Sequence, residues 1–233
     1  MTGPGQGWLL DLGLVDYDEA SELQARCEAA RKDGRITDLL ILLEHPPVYT
    51  YGRGADLKHL LLDLEDLNQR GIKVREIRRG GDITFHGPGQ IVGYPILDLQ
   101  NHGKDAHLYL RKLEDVLKAT LEDFGLKAYT VEGMTGVWCG GGKIAAIGVG
   151  ISRWFTTHGF ALNVNTDLSY FGGIVPCGLH GKQATSMRIQ LGGLVDMSDV
   201  KSALARCFSE EFKLIFSTVQ RAELYKLIPS LMG

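Results

Sequence analysis

Several familiar signatures are missing from this chain of 233 residues, and each absence narrows what it does. Its four cysteines, Cys27, Cys139, Cys177 and Cys207, show no CxxC spacing. Structural zinc sites draw on close-spaced pairs of ligands, so a site assembled from Cys139, Cys177, His86 and His158 is disfavoured and no metal is expected. In a reducing compartment all four are expected as free thiols. No apolar run approaches the roughly 20 residues of a membrane span, and the start, MTGPGQGW, lacks the basic and apolar regions of a secretory signal. The expectation is a cytoplasmic protein with no membrane partner. The net charge of −3 and pI near 6.2 show no strongly basic balance, so no nucleic-acid partner is expected. No Pro/Ser-rich linker, charge block or internal repeat divides the chain. With 44% apolar residues it is long enough for one α/β domain over residues 1–233, with residues 217–233 as a small C-terminal helical addition.

Nucleotide motifs are missing as well. A P-loop needs Gly six residues before its Lys and Ser or Thr after it; around GGGK those places hold Val137 and Ile144. The dinucleotide pattern fails in the same way, at Arg153 after Gly148-Val149-Gly150 and at Val92 after Gly87-Pro88-Gly89. A chain without a phosphate cradle is not expected to activate its substrate with ATP.

What is present reads as strands alternating with helices. Residues 7–12 suggest a strand, and Asp16 with Glu19 three residues on opens a helix with capping-box spacing. Residues 38–43 are almost continuously aliphatic, as in a strand buried on both faces, and stop at His45-Pro46-Pro47. A short helix at 64–69 stops at Gly71, and strands follow at 72–77 and 91–97. The longest helix covers 105–124, where Leu108, Leu113, Val116, Leu117, Leu121 and Phe124 recur near a 3.6-residue period before Gly125. Strands at 128–131, 136–138, 143–151 and 155–164 suit antiparallel pairing through short loops. A further helix is read over 198–216. Cys27 and Cys207 fall on the apolar faces of helices and read as core.

Three segments carry the chemistry. Residues 79–90, RGGDITFHGPGQ, crowd four glycines together with Arg79, Asp82, Thr84, His86 and Gln90. Glycines let another molecule approach main-chain N–H groups. A wide glycine hairpin explains the glycines but not the polar residues between them. Lys143 closes GVWCGGGK and Cys177 lies inside IVPCGLHGK, each where Gly or Pro loosens the backbone.

Together these segments resemble the lipoyl(octanoyl) transferases, the lipoate protein ligase B type of enzyme. The resemblance rests on RGGDITFHGPGQ running on to Tyr94, Lys143 followed by IAAIG, HGFALNVN over residues 158–165, and PCG around Cys177, all in order. It implies an α/β (α+β) fold, a mixed and largely antiparallel sheet flanked by helices, as shared by biotin and lipoate ligases and class II aminoacyl-tRNA synthetases. It implies transfer of an octanoyl or lipoyl group, carried on the phosphopantetheine of acyl carrier protein, to lysines of lipoyl domains of 2-oxoacid dehydrogenases and of the glycine cleavage H protein. No cofactor of the protein's own and a monomeric state are expected. The substrate pocket implied comprises Arg79, Gly80, Gly81, Asp82, Ile83, Thr84, Phe85 and His86; Ala146, Ile147 and Gly148; and Gly159, Phe160 and Ala161.

Cys177 and Lys143 are the implied catalytic pair. A free thiol with a pKa near 8.5 is only a few per cent thiolate at neutral pH, so a nearby cation is needed, and Lys143 supplies it. Cys139 is the rival nucleophile, and it reads better as core. His86, His158 and His180 are possible bases; His86 reads better as shaping the pocket. Lys73, Arg75, Arg78 and Arg79 form a basic cluster suited to an acidic carrier protein. A thioesterase, an ATP-dependent ligase and a non-catalytic acyl-binding module are the other readings, separable by whether an acyl adduct forms and whether ATP is needed.

Overall fold

The computed structural model describes residues 4–52, 55–77, 79–175 and 183–228. Cys177, with Pro176, Gly178 and His180, and Arg78 lie outside the described residues. Along the chain run β1 (Gly5–Leu14), α1 (Tyr17–Lys32), β2 (Asp38–Glu44), β3 (Val48–Gly52), α2 (Leu64–Gln69), β4 (Lys73–Ile77), β5 (Thr84–His86), β6 (Gln90–Ile96), α3 (Ala106–Asp123), β7 (Ala128–Val131), β8 (Met134–Cys139), β9 (Gly142–Ser152), β10 (Phe155–Asn163), α4 (Met187–Leu191), α5 (Met197–Phe212), β11 (Leu214–Thr218) and α6 (Arg221–Leu227).

The strands build an eight-stranded sheet, ordered β11-β1-β2-β6-β10-β9-β8-β7, and a three-stranded sheet, β4-β3-β5. In the large sheet β1 lies parallel to both β2 and β11, and every pairing from β2 to β7 is antiparallel. The mixed, largely antiparallel sheet flanked by helices is the architecture expected from the sequence.

The aliphatic run of β2 shows how both faces fill. Leu40 and Leu42 enter one core with Leu113, Val116, Leu117 and Leu121 of α3 and Val200, Leu204 and Phe208 of α5. Leu39, Ile41 and Leu43 point the other way, against Ala20, Leu23 and Cys27 of α1 and Leu224 of α6. The two-residue period of a strand makes one run serve two layers. The small sheet has its own core of Tyr49, Leu67, Ile83 and Phe85.

One expected element is corrected. The helix read over 198–216 ends at Phe212, where Lys213 takes a left-handed conformation with φ 53°. Leu214–Thr218 then runs as a strand paired with β1, from Gly5 against Leu214 to Leu9 against Thr218. Leu214 is buried while Ile215 is half exposed, which is the alternation of a sheet edge and not the stripe of a helix.

Candidate active site

A cavity of about 370 Å³ lies on the α1 face of the large sheet, beneath the small one. Its floor follows from strand periodicity: Gln90, Val92 and Tyr94 of β6, Gly159, Ala161 and Asn163 of β10, and Ala146 and Gly148 of β9 share one face. Residues with little or no side chain at 146, 148, 159 and 161 are what leaves the space open. Tyr17, Ile77, His86 and the loop 79–84 form the opposite wall. A Cβ on Gly148 would stand 2.9 Å from Arg79 Cδ and 3.1 Å from the Gly80 carbonyl, so the glycine lets this loop cross the strand. Gly80 N–H donates to the Val149 carbonyl at 3.1 Å and ties it there.

Of the expected pocket residues, Phe85 does not reach the cavity. Its ring stacks on Tyr170 at 4.5 Å in the core of the small sheet, because on β5 it faces away from the neighbouring Thr84 and His86. Ile147 and Phe160 border the cavity while their side chains pack into the opposite core.

Lys143 is at the cavity rim with Met134, Thr135, Gln183 and Ala184. Its Nζ donates to the Thr135 carbonyl at 3.0 Å and lies 5.0 Å from the centre of the Trp138 ring, a cation–π distance. Its backbone is equally engaged. Lys143 N–H donates to the Gln183 carbonyl and Thr185 N–H donates to the Lys143 carbonyl, each at 3.0 Å. The described chain therefore resumes after Cys177 hydrogen-bonded to Lys143. On the other side, Val175 N–H donates to the His59 carbonyl at 2.8 Å, while the His59 ring meets Asp82 of the glycine loop at 2.5 Å.

A chain of polar groups runs beneath the cavity, and its protonation can be read from its ends. The Thr185 carbonyl can only accept, so Asn163 presents Nδ2 to it, at 3.0 Å. Asn163 Oδ1 then accepts from Gln90 Nε2 at 2.9 Å, and Gln90 Oε1 is left to accept from His86 Nδ1 at 2.8 Å. His86 is thus the Nδ1–H tautomer, its Nε2 facing the Thr50 hydroxyl at 3.4 Å. Thr50 Oγ1 in turn accepts from Arg79 at 3.1 Å. Burial, with neighbouring His45, pushes the His86 pKa down to about 3. Burial also takes His45 to about 4, and burial together with Arg79 takes His158 to about 4. All three imidazoles are neutral at physiological pH, and His86 and His158 are polar walls of the cavity.

The family model described as "Lipoyl protein ligase A/B catalytic domain" matches residues 16–209. The chain belongs to this family. It is 48% identical over 200 residues to an octanoyltransferase of Geotalea uraniireducens, covering 86% of this chain and 90% of the relative. It is 50% identical over 204 residues to an octanoyltransferase of Solibacter usitatus, covering 88% and 92%. Both bear out the resemblance read from the ordered blocks. Among solved structures, a bipartite lipoate protein ligase from Thermoplasma acidophilum shares the fold at TM-score 0.72 and 18% identity, covering 96% of this chain and 91% of that one. A biotin protein ligase from Aquifex aeolicus is similar at TM-score 0.50 and 13% identity, covering 89% and 68%.

Within this lipoyl ligase A/B domain the described cysteines are all buried. Cys139 packs in the α3/α5 core, where burial raises its pKa. Burial pushes Cys27 up to about 12, and burial raises Cys207 too. None of the three is exposed enough, or acidic enough, to attack a substrate. The basic cluster also differs from expectation. Strand β4 runs beside the start of α1, so Lys73 Nζ meets Asp16 at 2.7 Å and Asp18 at 2.9 Å, while Arg75 Nε meets Asp18 at 2.7 Å. Arg79 turns into the cavity wall. Lys73 and Arg75 are neutralised in place and do not make a bare positive patch.

Asn163, Thr50 and Tyr17 were not singled out from sequence. Asn163 was within reach, since it follows Gly159 and Ala161 at the two-residue spacing that puts all three on one strand face.

Proposed function

We propose that this protein transfers an octanoyl group from the phosphopantetheine thioester of acyl carrier protein to a lysine of a lipoyl domain, through a thioester on Cys177. The observation that carries the reading is that Lys143 lines the same cavity as the small-residue floor of Ala146, Gly148, Gly159 and Ala161. A cation at the rim of a largely apolar slot suits a thiolate nucleophile and a saturated acyl chain. Kinship with octanoyltransferases at 48–50% identity supports the donor class.

In the first half, the Cys177 thiolate attacks the thioester carbonyl, the carbon–sulfur bond to pantetheine breaks, and the Lys143 ammonium protonates the departing thiolate. Lys143 is then a neutral amine. In the second half that amine takes a proton from the incoming lysine as its nitrogen attacks the Cys177 thioester, giving the amide and restoring the thiolate and ammonium. Thioester exchange is nearly isoenergetic and amide formation drives the second half, so neither ATP nor a metal is required. The acceptors are lipoyl domains of 2-oxoacid dehydrogenases and the glycine cleavage H protein, and the setting is the cytoplasm.

The test is intact-mass detection of an octanoyl adduct on incubation with octanoyl-acyl carrier protein, without ATP or Mg²⁺, followed by chase with a lipoyl domain. Cys177→Ser and Cys177→Ala are expected to lose chaseable adduct while remaining folded. A strict ATP requirement moves the protein to the ligase class; release of free octanoate with no amide product makes it a thioesterase.

A further inference from the structure

We propose that Glu114 is a positioning residue for Lys143: its carboxylate holds a peptide unit whose carbonyl receives the lysine ammonium. The proposal rests on the reading of Lys143 as the proton carrier and counter-charge of Cys177.

Glu114 stands in the middle of α3 with its side chain 1% exposed. Burying a carboxylate is costly unless its oxygens are paired. Both oxygens of Glu114 are. Oε2 accepts from the exposed Arg111 guanidinium at 2.6 Å, and Oε1 accepts from the Gly136 backbone N–H at 3.0 Å. That N–H belongs to the same peptide unit as the Thr135 carbonyl, to which Lys143 Nζ donates at 3.0 Å. A trans peptide is planar, so its N–H and C=O point in opposite directions and turn together. Glu114 therefore aims the Thr135 carbonyl at Lys143, and its charge polarises that carbonyl as an acceptor.

The local backbone is built around this arrangement. Gly136 has φ 130°, and a Cβ there would lie 2.6 Å from Lys143 Cε and 2.7 Å from the Ala145 carbonyl. The β8–β9 register shifts between Val137 and Trp138, the next two residues. The strand is bent where the lysine stem passes, and the N–H of the bent peptide donates to Glu114.

The test compares Glu114→Gln, Glu114→Ala and Glu114→Asp with Lys143→Met in the full chain. The readouts are the pH midpoint of Cys177 alkylation by iodoacetamide and single-turnover transfer to a lipoyl domain, with folding checked by circular dichroism. Gln keeps a neutral acceptor for Gly136 but loses the charge that polarises the Thr135 carbonyl, and is expected to fall between wild type and Ala in both readouts. Ala removes the acceptor, and Asp withdraws the carboxylate by one methylene while keeping its charge. Both are expected to raise the alkylation midpoint and to slow transfer about ten-fold, the scale of one charge-assisted hydrogen bond. A purely structural role lowers melting temperature and leaves the midpoint of the folded protein in place. If Lys143→Met shifts the midpoint and folded Glu114→Asp does not, the Glu114 proposal is overturned. If Lys143→Met itself shows a wild-type midpoint, the reading of Lys143 fails instead.

Discussion

His86 Nδ1 donates to Gln90 Oε1 at 2.8 Å, and the orientation of that amide is set 22 residues further on from Asn163, where its Nδ2 meets the Thr185 carbonyl. Gln90 is the joint of the chain, because it also donates to the Phe85 carbonyl at 3.1 Å. Gln90→Leu keeps the volume and leaves His86 Nδ1, the Phe85 carbonyl and Asn163 Oδ1 short of partners in a buried setting. Each such group costs about 1–3 kcal/mol, so the expected loss is about 3 kcal/mol or more of unfolding free energy by urea denaturation. A loss below ~0.5 kcal/mol shows that the groups find other partners and that the chain is not held as described.

The same burial predicts a pH dependence. His45, His86 and His158 have folded pKa values of about 4, 3 and 4, below the ordinary value near 6.5. Between those limits the unfolded chain binds more protons than the folded one, so stability rises with pH in that window. It is therefore complete above about pH 7 and is lost progressively as pH falls from 6.5 toward 4, at up to ~1.4 kcal/mol per pH unit for each histidine. Thermal melts between pH 7.5 and 4.5 are the measurement. His86→Gln, neutral throughout, is expected to flatten the slope; a wild-type melting temperature constant down to pH 4.5 contradicts the neutral assignment.

The fold was legible in the sequence where periodicity was unambiguous. The aliphatic run of β2, the apolar stripe of α3 and the antiparallel strands β7 to β10 all lie where the pattern puts them. The pattern misled at the end of α5 for a physical reason. Phe208, Phe212 and Phe216 continue the helical spacing of four, and Phe216 still packs 6.0 Å from Phe208, but it does so from a strand. The break at Lys213 uses a left-handed residue that is not glycine, so no local signal announced it. In the site, the glycine loop and Lys143 were readable because each is contiguous in sequence. The ties from Asn163 to Thr185 and from Glu114 to Gly136 join distant segments and become visible only in three dimensions.

Thiol reactivity separates the cysteines. Cys27, Cys139 and Cys207 are buried, and burial raises the pKa of each thiol, so native protein at pH 7.5 is expected to take up iodoacetamide at Cys177. Cys139→Ser is expected to leave both labelling and octanoyl transfer near wild type, while Cys177→Ser loses both. Peptide mapping of the alkylated protein decides. Fast labelling of Cys139 in the folded state reverses the assignment of the nucleophile.

Acyl selectivity is expected to depend on Ala161. It is 4% exposed on β10, opposite Val92 on one side and Ala146 on the other, with its side chain on the cavity face of the sheet. Ala161→Leu places a branched side chain in the space assigned to the acyl chain and leaves the rim at Lys143 unchanged. Burying a methylene is worth about 0.8 kcal/mol, so denying an octanoyl chain two buried methylenes costs about 1.6 kcal/mol, roughly fifteen-fold in kcat/KM. A hexanoyl donor does not need that depth and is expected to lose little. The ratio of kcat/KM for hexanoyl and octanoyl thioesters therefore rises about fifteen-fold, while the pH midpoint of Cys177 alkylation stays at its wild-type value. An equal loss on both donors places the acyl chain elsewhere in the cavity, and an unchanged ratio with full activity removes this floor from the acyl path.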